Sequence, residues 1–250
     1  MEKTEYKNIF DHENSHFFYV STHRLVLGLI EKYLPLPIPP LRKGRAFKIL
    51  DAGCGTGGLM LKLKKYGEVT GIDFSYEAIR LAKKRKLKVI KSTIEKLPFK
   101  DHAFDLVISI DVIYHRQVLS DVKALKECRR VLKKDGYLIL RVPANKFLMS
   151  AHDRHVHTMR RYDKKELINK MKQAGLKVKM VSFVHSPIFP VSLVKILIER
   201  INKKENTSSV VSVNSIINGL LTMVLGIEAK LIVLGIPIPI GQGLVVVATR

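Results

Sequence analysis

The chain has 250 residues and 46% hydrophobic side chains, so it is long enough to bury a core and too apolar to be disordered throughout. Its formal net charge of +22 favours an anionic partner such as nucleic acid, an anionic membrane surface or a phosphorylated substrate, although a solvated lysine surface accounts for it equally well. Two cysteines without a C-x-x-C pair exclude a disulfide framework and a zinc ribbon and favour a reducing, cytoplasmic location. The first twenty residues carry charge throughout, so no signal peptide is predicted there.

The N-terminal segment, residues 1–45, is predicted to contain one helix and a linker. The polar stretch 1–14 is expected to be frayed, whereas apolar residues at helical spacing predict a helix over 15–34. Prolines at positions 35, 37, 39 and 40 then predict a stiff linker. Arg24 lies on the predicted helix, where it could reach a carboxylate of a ligand or form an exposed salt bridge.

An apolar run over 47–50 ends in Asp51 and is followed by a glycine-rich turn. The glycines are Gly53, Gly55, Gly57 and Gly58. This order is typical of a buried strand, a tight turn and a helix start, the place where an α/β protein receives a nucleotide. A second predicted strand, 68–72, leads directly into Asp73. The distance from Asp51 to Asp73 is typical of a unit whose second acid accepts hydrogen bonds from ribose hydroxyls.

Strands and helices alternate through most of the remaining chain, which predicts an α/β fold in a single domain over 1–250. Further strands are predicted over 88–91, 104–110, 137–142, 176–184 and 244–249, and helices over 59–66, 75–86, 121–132 and 163–173. The run 104–110 is strongly apolar, as a parallel strand buried on both faces is.

Residues 186–243 form an unusually long and apolar connection between the last two strands. Helices are predicted over 191–202 and over 213–225 or beyond. The stretch 210–227 has no charge, but serine, asparagine, glycine and threonine dilute it, and this disfavours a membrane-spanning helix. We expect this insertion to form a lid over the site, with attachment to a membrane interface as the alternative.

The glycine turn satisfies two nucleotide-binding patterns. One is the G-x-G-x-x-G pattern of nicotinamide and flavin dehydrogenases, and the other, which includes Asp51, is D-x-G-x-G-x-G. The second pattern is followed in order by G-I-D-F-S at 71–75, E-K-L-P-F at 95–99, F-D-L-V at 104–107, D-V-I-Y-H at 111–115 and R-R-V-L-K-K-D-G at 129–136. On these motifs the chain resembles the class I S-adenosylmethionine-dependent methyltransferases of the type 11-like kind. The resemblance implies a Rossmann-like, seven-stranded methyltransferase sheet, mostly parallel with an antiparallel last strand and helices on both faces, and S-adenosylmethionine as cofactor.

The resemblance also implies which residues hold the cofactor. The glycine turn would contact its methionine part, Asp51 its ammonium group and Asp73 its ribose. Thr93 stands where most relatives have an acid that binds the adenine amino group, and Ile110 would flank the sulfonium. Together with Arg24, the candidate cofactor-binding residues are Asp51, Gly53, Cys54, Gly55, Gly57, Asp73, Phe74, Thr93, Ile94 and Ile110.

Methyl transfer from a sulfonium needs alignment, exclusion of water and removal of the nucleophile's proton. His115, just after the fourth strand, is the candidate general base for a hydroxyl acceptor, with a purely structural histidine as the alternative. Asp111 is the second catalytic candidate. The segment is similar to that of quinone-pathway methyltransferases at Asp111 and His115, but Tyr114 replaces their second acid, which weakens a metal-assisted mechanism.

Residues 152–162 combine three histidines with acidic and arginine side chains. No second cluster completes a metal site, so no metal is predicted. The segment resembles the H-D-x-x-x-x-H-x-R-R-Y stretch of a poorly characterised bacterial and archaeal group of these methyltransferases, which is also similar to the chain at 16–19, at Asn214 or Asn218, at Glu228 and at 239–241. The candidate acceptor-binding residues are His152, Asp153, His157, Arg161 and Tyr162. The two arginines of the segment, Arg160 and Arg161, suit an anionic acceptor, and the alternative is a network that only holds a loop in place.

The leading function is therefore a methyltransferase for a small-molecule or lipid-linked acceptor, acting at oxygen. It would be located in the cytoplasm, with peripheral contact to the inner face of the membrane as a further expectation. An RNA methyltransferase is the alternative that the net charge favours, but the fourth strand lacks the Asn/Asp-Pro-Pro-aromatic signature of base amino-group methylation. A third alternative is a module that binds S-adenosylmethionine without catalysis.

Overall fold

Seven strands form one sheet in the computed structural model, which describes residues 3–34, 47–150, 153, 156–202 and 214–250. The strands are β1 (Lys48–Ala52), β2 (Glu68–Asp73), β3 (Val89–Lys91), β4 (Phe104–Ile110), β5 (Leu132–Pro143), β6 (Lys177–Val184) and β7 (Gly243–Thr249). Their order is β3-β2-β1-β4-β5-β7-β6. Neighbours from β3 to β5 are parallel, and β7 runs antiparallel to both β5 and β6. The predicted fold, a mostly parallel sheet with an antiparallel last strand, is confirmed.

The central strands are buried on both faces because successive side chains enter two different core clusters. Leu50 and Val107 lie in one cluster, whereas Ile49 and Leu106 lie in the other, on the opposite face of the sheet. This alternation follows from the two-residue period of a strand, and it requires helices on both sides. The apolar run that predicted β4 is therefore explained by two covered faces.

Eight α-helices surround the sheet within the described part of the chain. They are α1 (Lys3–His12), α2 (Phe17–Tyr33), α3 (Gly58–Leu63), α4 (Tyr76–Lys84), α5 (Asp121–Val131), α6 (Lys164–Gln173), α7 (Phe189–Asn202) and α8 (Ser215–Leu234). α2 and α8 pack into one core cluster through residues such as Leu29 and Ile232, and α5 and α6 pack into the other through Leu125 and Leu167. Helices thus cover both faces, as predicted.

The prediction that residues 1–14 are frayed was wrong, because they contain α1. The segment is polar in sequence but makes buried polar contacts. Glu13 is 5% exposed and forms an ion pair with Arg85, whose guanidinium also lies 4.1 Å from the ring centre of Phe10. A charged pair held this way, with a cation over an aromatic ring, fixes the segment against the sheet domain. The predicted proline-rich linker lies outside the described residues.

The connection between β6 and β7 contains α7 and α8, at the positions predicted for two helices. α8 is 20 residues long and continues to Leu234, well beyond the predicted end at 225. One face of α8 packs on α2, yet only 22% of the most apolar 18-residue stretch of α8 is buried. The helix therefore exposes much of its apolar surface.

Candidate functional site

A cavity of about 510 Å³ opens at the carboxyl ends of β1, β2 and β4. Ligands bind at this edge in open α/β sheets, next to the point where the strand order reverses. Most of the predicted site residues line the cavity: Asp51, Gly53, Cys54, Gly55, Asp73, Phe74, Thr93, Ile94, Ile110, Asp111, His115, Asp153 and Arg161. The predicted residues are thus brought together from both halves of the sheet.

The glycine turn adopts backbone conformations that favour glycine. Gly53 has φ +96°, and a Cβ at this position would lie 2.1 Å from Val112 Cγ2. Gly55 has φ +52°, and a Cβ there would meet no protein atom within 4 Å, which leaves open space beside the turn. Gly57 is also in the left-handed region, but its Cβ would lie 2.3 Å from Leu87 Cδ1. Gly57 therefore serves packing and, contrary to prediction, does not line the cavity.

Asp73 is fixed at the tip of β2 by two backbone amides. Its Oδ2 accepts a hydrogen bond from Gly55 N at 2.9 Å, and its Oδ1 accepts one from Ser75 N at 2.8 Å. Burial raises the pKa of Asp73 above its ordinary value, although these hydrogen bonds oppose the effect. Asp73 is thereby tied to the glycine turn while it lines the cavity.

Asp51, at the end of β1, is a buried acid without a cation beside it. The side chain is 3% exposed, and within the described residues its carboxylate makes no hydrogen bond or ion pair. Burial, together with the negative charges of Asp73 and Glu13, raises its pKa to about 7. An acid in such surroundings favours a positively charged ligand, which would compensate the desolvated carboxylate.

Glu13 connects the N-terminal helices to the glycine turn. Its carboxylate accepts hydrogen bonds from Thr56 Oγ1 at 2.5 Å and from Gly58 N at 3.1 Å, in addition to its ion pair with Arg85. Sequence reasoning missed Glu13, because nothing local distinguishes one acid in a polar segment from another.

The N-terminal helices α1 and α2 cover the cavity. The lining residues from these helices and the turn between them are Glu5, Tyr6, Ile9, Glu13, His16, Phe17, Phe18, Tyr19, Thr22 and His23. By contrast, α7 and α8 contribute no lining residue, and of the described part of the predicted lid only Gln242 reaches the cavity. The cover that the sequence assigned to the insertion is thus supplied by the N-terminal segment.

His115 lines the cavity in its neutral form. Its Nδ1 accepts a hydrogen bond from Gln117 N at 3.3 Å, and its ring centre lies 5.7 Å from that of His157. Burial is the main cause that lowers its pKa to about 4. Because Nδ1 is an acceptor, the ring proton is assigned to Nε2, which makes Nε2 a hydrogen-bond donor in this arrangement. Action as a base would require the imidazole to release Gln117.

Asp111 pairs with a buried arginine that sequence reasoning did not single out. Arg141 on β5 is 4% exposed and contacts Asp111 Oδ2, and its Nη2 donates to His185 Nδ1 at 2.8 Å. Its guanidinium also lies 4.8 Å from the ring centre of Phe18. Burial raises the pKa of Asp111, and the charge of Arg141 opposes that rise. Asp111 is therefore engaged in an ion pair at the cavity wall.

Asp153 and Arg161 hold the loop after β5 together. Arg161 Nη2 lies 3.0 Å from Asp153 Oδ1, and Arg161 Nη1 donates to Ala144 O at 3.0 Å. Asp153 also accepts from Ser150 N and from Ser150 Oγ, both at 2.9 Å. Both side chains line the cavity, yet their polar atoms are already used within the loop. This arrangement fits the alternative in which the segment holds the loop in place.

The comparisons with known proteins agree with this geometry. Residues 50–140 match the family described as Methyltransferase domain. Residues 50–140 of the chain therefore form a methyltransferase domain. The matched residues include Asp51, Asp73, the glycine turn and β4. The cofactor of the domain is S-adenosylmethionine.

Curated relatives resemble the methyltransferase domain over less than half of the chain. An uncharacterized protein of Methanocaldococcus jannaschii is 35% identical over 112 residues, which are 45% of this chain and 48% of that protein. Demethylmenaquinone methyltransferase of Staphylococcus aureus is 38% identical over 109 residues, 40% of this chain and 43% of that enzyme. Probable tRNA methyltransferase 9B of Bos taurus is 36% identical over 108 residues, 43% of this chain and 23% of that protein. The chain thus spans less than half the length of each of these relatives.

Solved structures share the fold over nearly the whole chain. An S-adenosylmethionine-dependent methyltransferase of Thermotoga maritima has a TM-score of 0.55 and 22% identity, covering 98% of this chain and 94% of that one. The geranyl diphosphate C-methyltransferase of Streptomyces coelicolor has a TM-score of 0.59 and 14% identity, covering 92% and 77%. At these identities the likeness shows the fold alone.

The residues of the methyltransferase domain fit S-adenosylmethionine chemically. Asp51 lacks a cationic partner among the described residues, and the cofactor carries both a sulfonium and an ammonium group. Gly55 leaves open space where a side chain would intrude, and Asp73 presents a fixed carboxylate for hydroxyl groups. The exposed ring of Phe74 and the buried side chain of Ile94 line the same end of the cavity. These residues would hold the cofactor.

Two predicted site residues lie elsewhere. Arg24 is exposed and does not line the cavity; its Nη1 would lie 3.4 Å from a Cβ at Gly226, so it points to α8. Its neighbour His23 lines the cavity instead, is 7% exposed, and has an Nδ1 without a hydrogen-bond partner in the described structure. Burial lowers the pKa of His23 to about 4, so it is neutral at neutral pH.

Tyr162 and the histidines of the 152–162 segment also differ from prediction. Tyr162 is completely buried, and its hydroxyl donates to Asp121 Oδ2 at 3.0 Å, in the core rather than in the cavity. His157 lies beside His115 but is not part of the lining. His152 is outside the described residues. Among the residues that are described, no three His, Cys, Asp or Glu side chains converge as a metal site would require.

The cavity of this basic protein is acidic. Its charged lining residues are Glu5, Glu13, Asp51, Asp73, Asp111, Asp153, Arg141 and Arg161. Both arginines are paired with acids, Arg141 with Asp111 and Arg161 with Asp153. The expectation of an anionic acceptor rested on Arg160 and Arg161. Arg161 is paired with Asp153, and Arg160 does not line the cavity and lies 3.4 Å from Asp121 Oδ2.

Proposed function

We propose that the protein transfers a methyl group from S-adenosylmethionine to an oxygen atom of a small-molecule or lipid-linked acceptor. The observation that carries the proposal is that two acids flank the glycine turn: the buried Asp51, which has no cationic partner among the described residues, and the amide-fixed Asp73. When bound, S-adenosylmethionine supplies a methyl group activated by a positively charged sulfur. The acids of the cavity favour that charge, and the cover formed by α1 and α2 excludes water from it.

The acceptor would enter the half of the cavity that lies beyond β4. Arg141 and the Asp153–Arg161 pair form the wall there, and His115 Nε2 provides a donor for an acceptor oxygen. Since both arginines already pair with acids, we propose an uncharged hydroxyl as the reacting group rather than an anion. The role of the protein residues is then to align this oxygen, to keep water out and to take up the hydroxyl proton, which would pass to His115 Nδ1 once that nitrogen releases Gln117 N.

Two relatives suggest acceptors of different chemistry. The likeness to demethylmenaquinone methyltransferase supports a small or lipid-linked acceptor. The likeness to probable tRNA methyltransferase 9B, together with the net charge of +22, supports RNA as the second candidate. The acidic lining of the cavity weighs against RNA, because a nucleotide acceptor would bring phosphate into a cavity with six acidic and two arginine lining residues.

Calorimetry with S-adenosylmethionine tests the cofactor assignment. The parent protein should bind it, and Asp73→Asn should weaken binding by about tenfold to a hundredfold because charged hydrogen bonds to ribose are lost. Asp135→Asn is the matched control. It replaces an exposed acid within β5, outside the cavity, and should bind S-adenosylmethionine as the parent does. Binding of NAD with no response to S-adenosylmethionine would overturn the proposal.

Labelled methyl transfer tests the acceptor. The purified protein is incubated with S-[methyl-³H]adenosylmethionine and a cell extract, which is then separated into lipid, RNA and small-molecule fractions. Label in the lipid or small-molecule fraction supports the proposed acceptor class. Label in a methyl ether, which resists base, or in a methyl ester, which base hydrolyses, supports methylation at oxygen. Label in RNA supports the second candidate, and cofactor binding without transfer to any fraction supports a module that does not catalyse.

A further inference from the structure

α7 and α8 present an exposed apolar surface, called here the outer face. On α8 its members recur at helical spacing: Ile216, Leu220, Met223, Ile227 and Leu234. On α7 the exposed apolar residues are Val191, Val194, Leu197 and Ile198. Side chains three and four positions apart lie on one side of a helix, so each set forms a continuous stripe. A stripe of this length is more than the scattered exposed apolar residues of an ordinary surface.

The opposite side of α8 is tied to the domain at both ends. Near its start, Asn218 Oδ1 accepts from Phe17 N at 2.8 Å, and its Nδ2 donates to Ser15 O at 2.9 Å. Near its end, the buried Glu228 accepts from His185 N and Ser186 N, both at 2.7 Å. α8 has the length and mean hydropathy, 20 residues and 1.8, of a helix that could cross a membrane. These polar anchors instead hold the helix against the domain, while the apolar stripe of the outer face is exposed.

The charges on α7 and α8 are sorted by direction. Lys230 lies on the same stripe as Ile227 and Leu234 and is exposed. The side chain of Lys195 on α7 is 52% exposed, and its Nζ lies 3.8 Å from Glu199 Oε1. The acids turn inward: Glu228 is 6% exposed, and the side chain of Glu199 is 11% exposed. The outer face therefore combines apolar side chains with outward cationic groups and carries little outward negative charge.

We propose that the outer face binds the surface of an anionic lipid bilayer, with α8 lying parallel to the membrane plane. An amphipathic helix of this kind buries its apolar stripe at the headgroup boundary, and lysines within the stripe extend their amines to anionic headgroups. The net charge of +22 decides between this occupant and a second copy of the chain, because two copies would repel each other whereas an anionic surface attracts each one. The proposal goes beyond the proposed function and does not depend on it.

Flotation of the full chain with vesicles tests this surface. Vesicles of phosphatidylcholine and phosphatidylglycerol in a seven-to-three ratio should carry the parent protein upward at low salt. The double variant Leu220→Gln, Met223→Gln removes two apolar side chains from the centre of the stripe and should reduce the bound fraction at least about tenfold. Leu119→Gln, which replaces a leucine that is 85% exposed outside the outer face, is the matched control and should float like the parent. Circular dichroism establishes that both variants are folded.

Each other outcome overturns the proposal. Parent protein that stays at the bottom of the gradient refutes membrane binding, and equal flotation with pure phosphatidylcholine refutes the role of anionic lipid. Equal losses in Leu119→Gln and in the double variant refute the outer face as the binding surface. Sedimentation that shows a parent dimer, dissociated by the double variant, together with no flotation assigns the outer face to a second copy instead.

Discussion

Replacing Asp51 by asparagine should stabilise the protein without cofactor, and more so at high pH. Burial raises the pKa of Asp51 from 3.8 to about 7 in the folded chain, whereas in the unfolded chain it ionises near the ordinary value. Between these two values the unfolded state loses its proton first, so the stability of the parent falls as the pH rises, and above about 7 the loss is complete. A difference of this size corresponds to about 4 kcal/mol of unfolding free energy. The variant does not ionise and escapes this loss.

Urea unfolding of the parent and Asp51→Asn at pH 5 and pH 8 measures the effect. Ionisation of this carboxyl group lowers the unfolding free energy of the parent by about 1.7 kcal/mol at pH 5 and by about 4 kcal/mol at pH 8. The difference in unfolding free energy between variant and parent should therefore grow by about 2.5 kcal/mol from pH 5 to pH 8. Any cost of burying the amide is the same at both values and cancels in the comparison. Asp11→Asn removes an exposed acid from α1 and should show no such growth.

S-adenosylmethionine should reverse the order of stability. A cation beside Asp51 lowers the pKa of the carboxyl group, so saturating cofactor should remove most of the pH dependence of the parent and stabilise it more than Asp51→Asn. An advantage of the variant that is equal at pH 5 and pH 8, or absent at both, would refute the idea that Asp51 lacks a cation in the protein alone.

Three further predictions concern single positions. Gly53→Ala should abolish measurable cofactor binding in calorimetry, because its Cβ would lie 2.1 Å from Val112 Cγ2 and its φ is +96°; unchanged affinity would contradict the turn geometry. Tyr162→Phe should lower the unfolding free energy by about 1–2 kcal/mol, since it removes a buried donor to Asp121, and should leave cofactor affinity unchanged; weaker cofactor binding would return this residue to the site. Turnover should show no step near pH 6.5 from His115, because burial lowers its pKa to about 4; a step there that disappears in His115→Gln would argue against this environment.

The fold could be predicted because its signals are local. β4 was expected over 104–110 and is found at Phe104–Ile110, since an uninterrupted apolar run between polar residues has one simple explanation in an α/β protein. Ser75 was expected to begin a helix, and its side chain accepts from Ala78 N at the start of α4. The end of α8 was harder to foresee, because Glu228 and Lys230 interrupt the apolar run although Glu228 turns inward.

The site could be predicted only in its cofactor half. Asp51 and Asp73 are brought together by a general rule, that the carboxyl ends of adjacent parallel strands meet at one edge of the sheet. Glu13 reaches the turn from 43 positions away, and Arg141 meets His185 from 44 positions away. No periodicity or spacing encodes such pairs. A second difficulty is that the sequence does not show whether a charged residue already has a partner. Arg161 lies on a loop where it could bind an acceptor, but its guanidinium forms an ion pair with Asp153.

The net charge of +22 could serve substrate binding in the cavity or binding of an anionic surface on the outside, and the distribution of charge distinguishes these two roles. A strongly basic chain first suggests that its substrate is an anion. The cavity, however, has six acidic lining residues, and its two lining arginines already have acidic partners, so the positive charge is not directed at the reacting centre. It lies on the outside, where Lys195 and Lys230 accompany the apolar stripes of α7 and α8. Under the membrane proposal, positive charge in this position would act on where the protein resides rather than on what it methylates, so the membrane assay and the acceptor assay can succeed or fail independently.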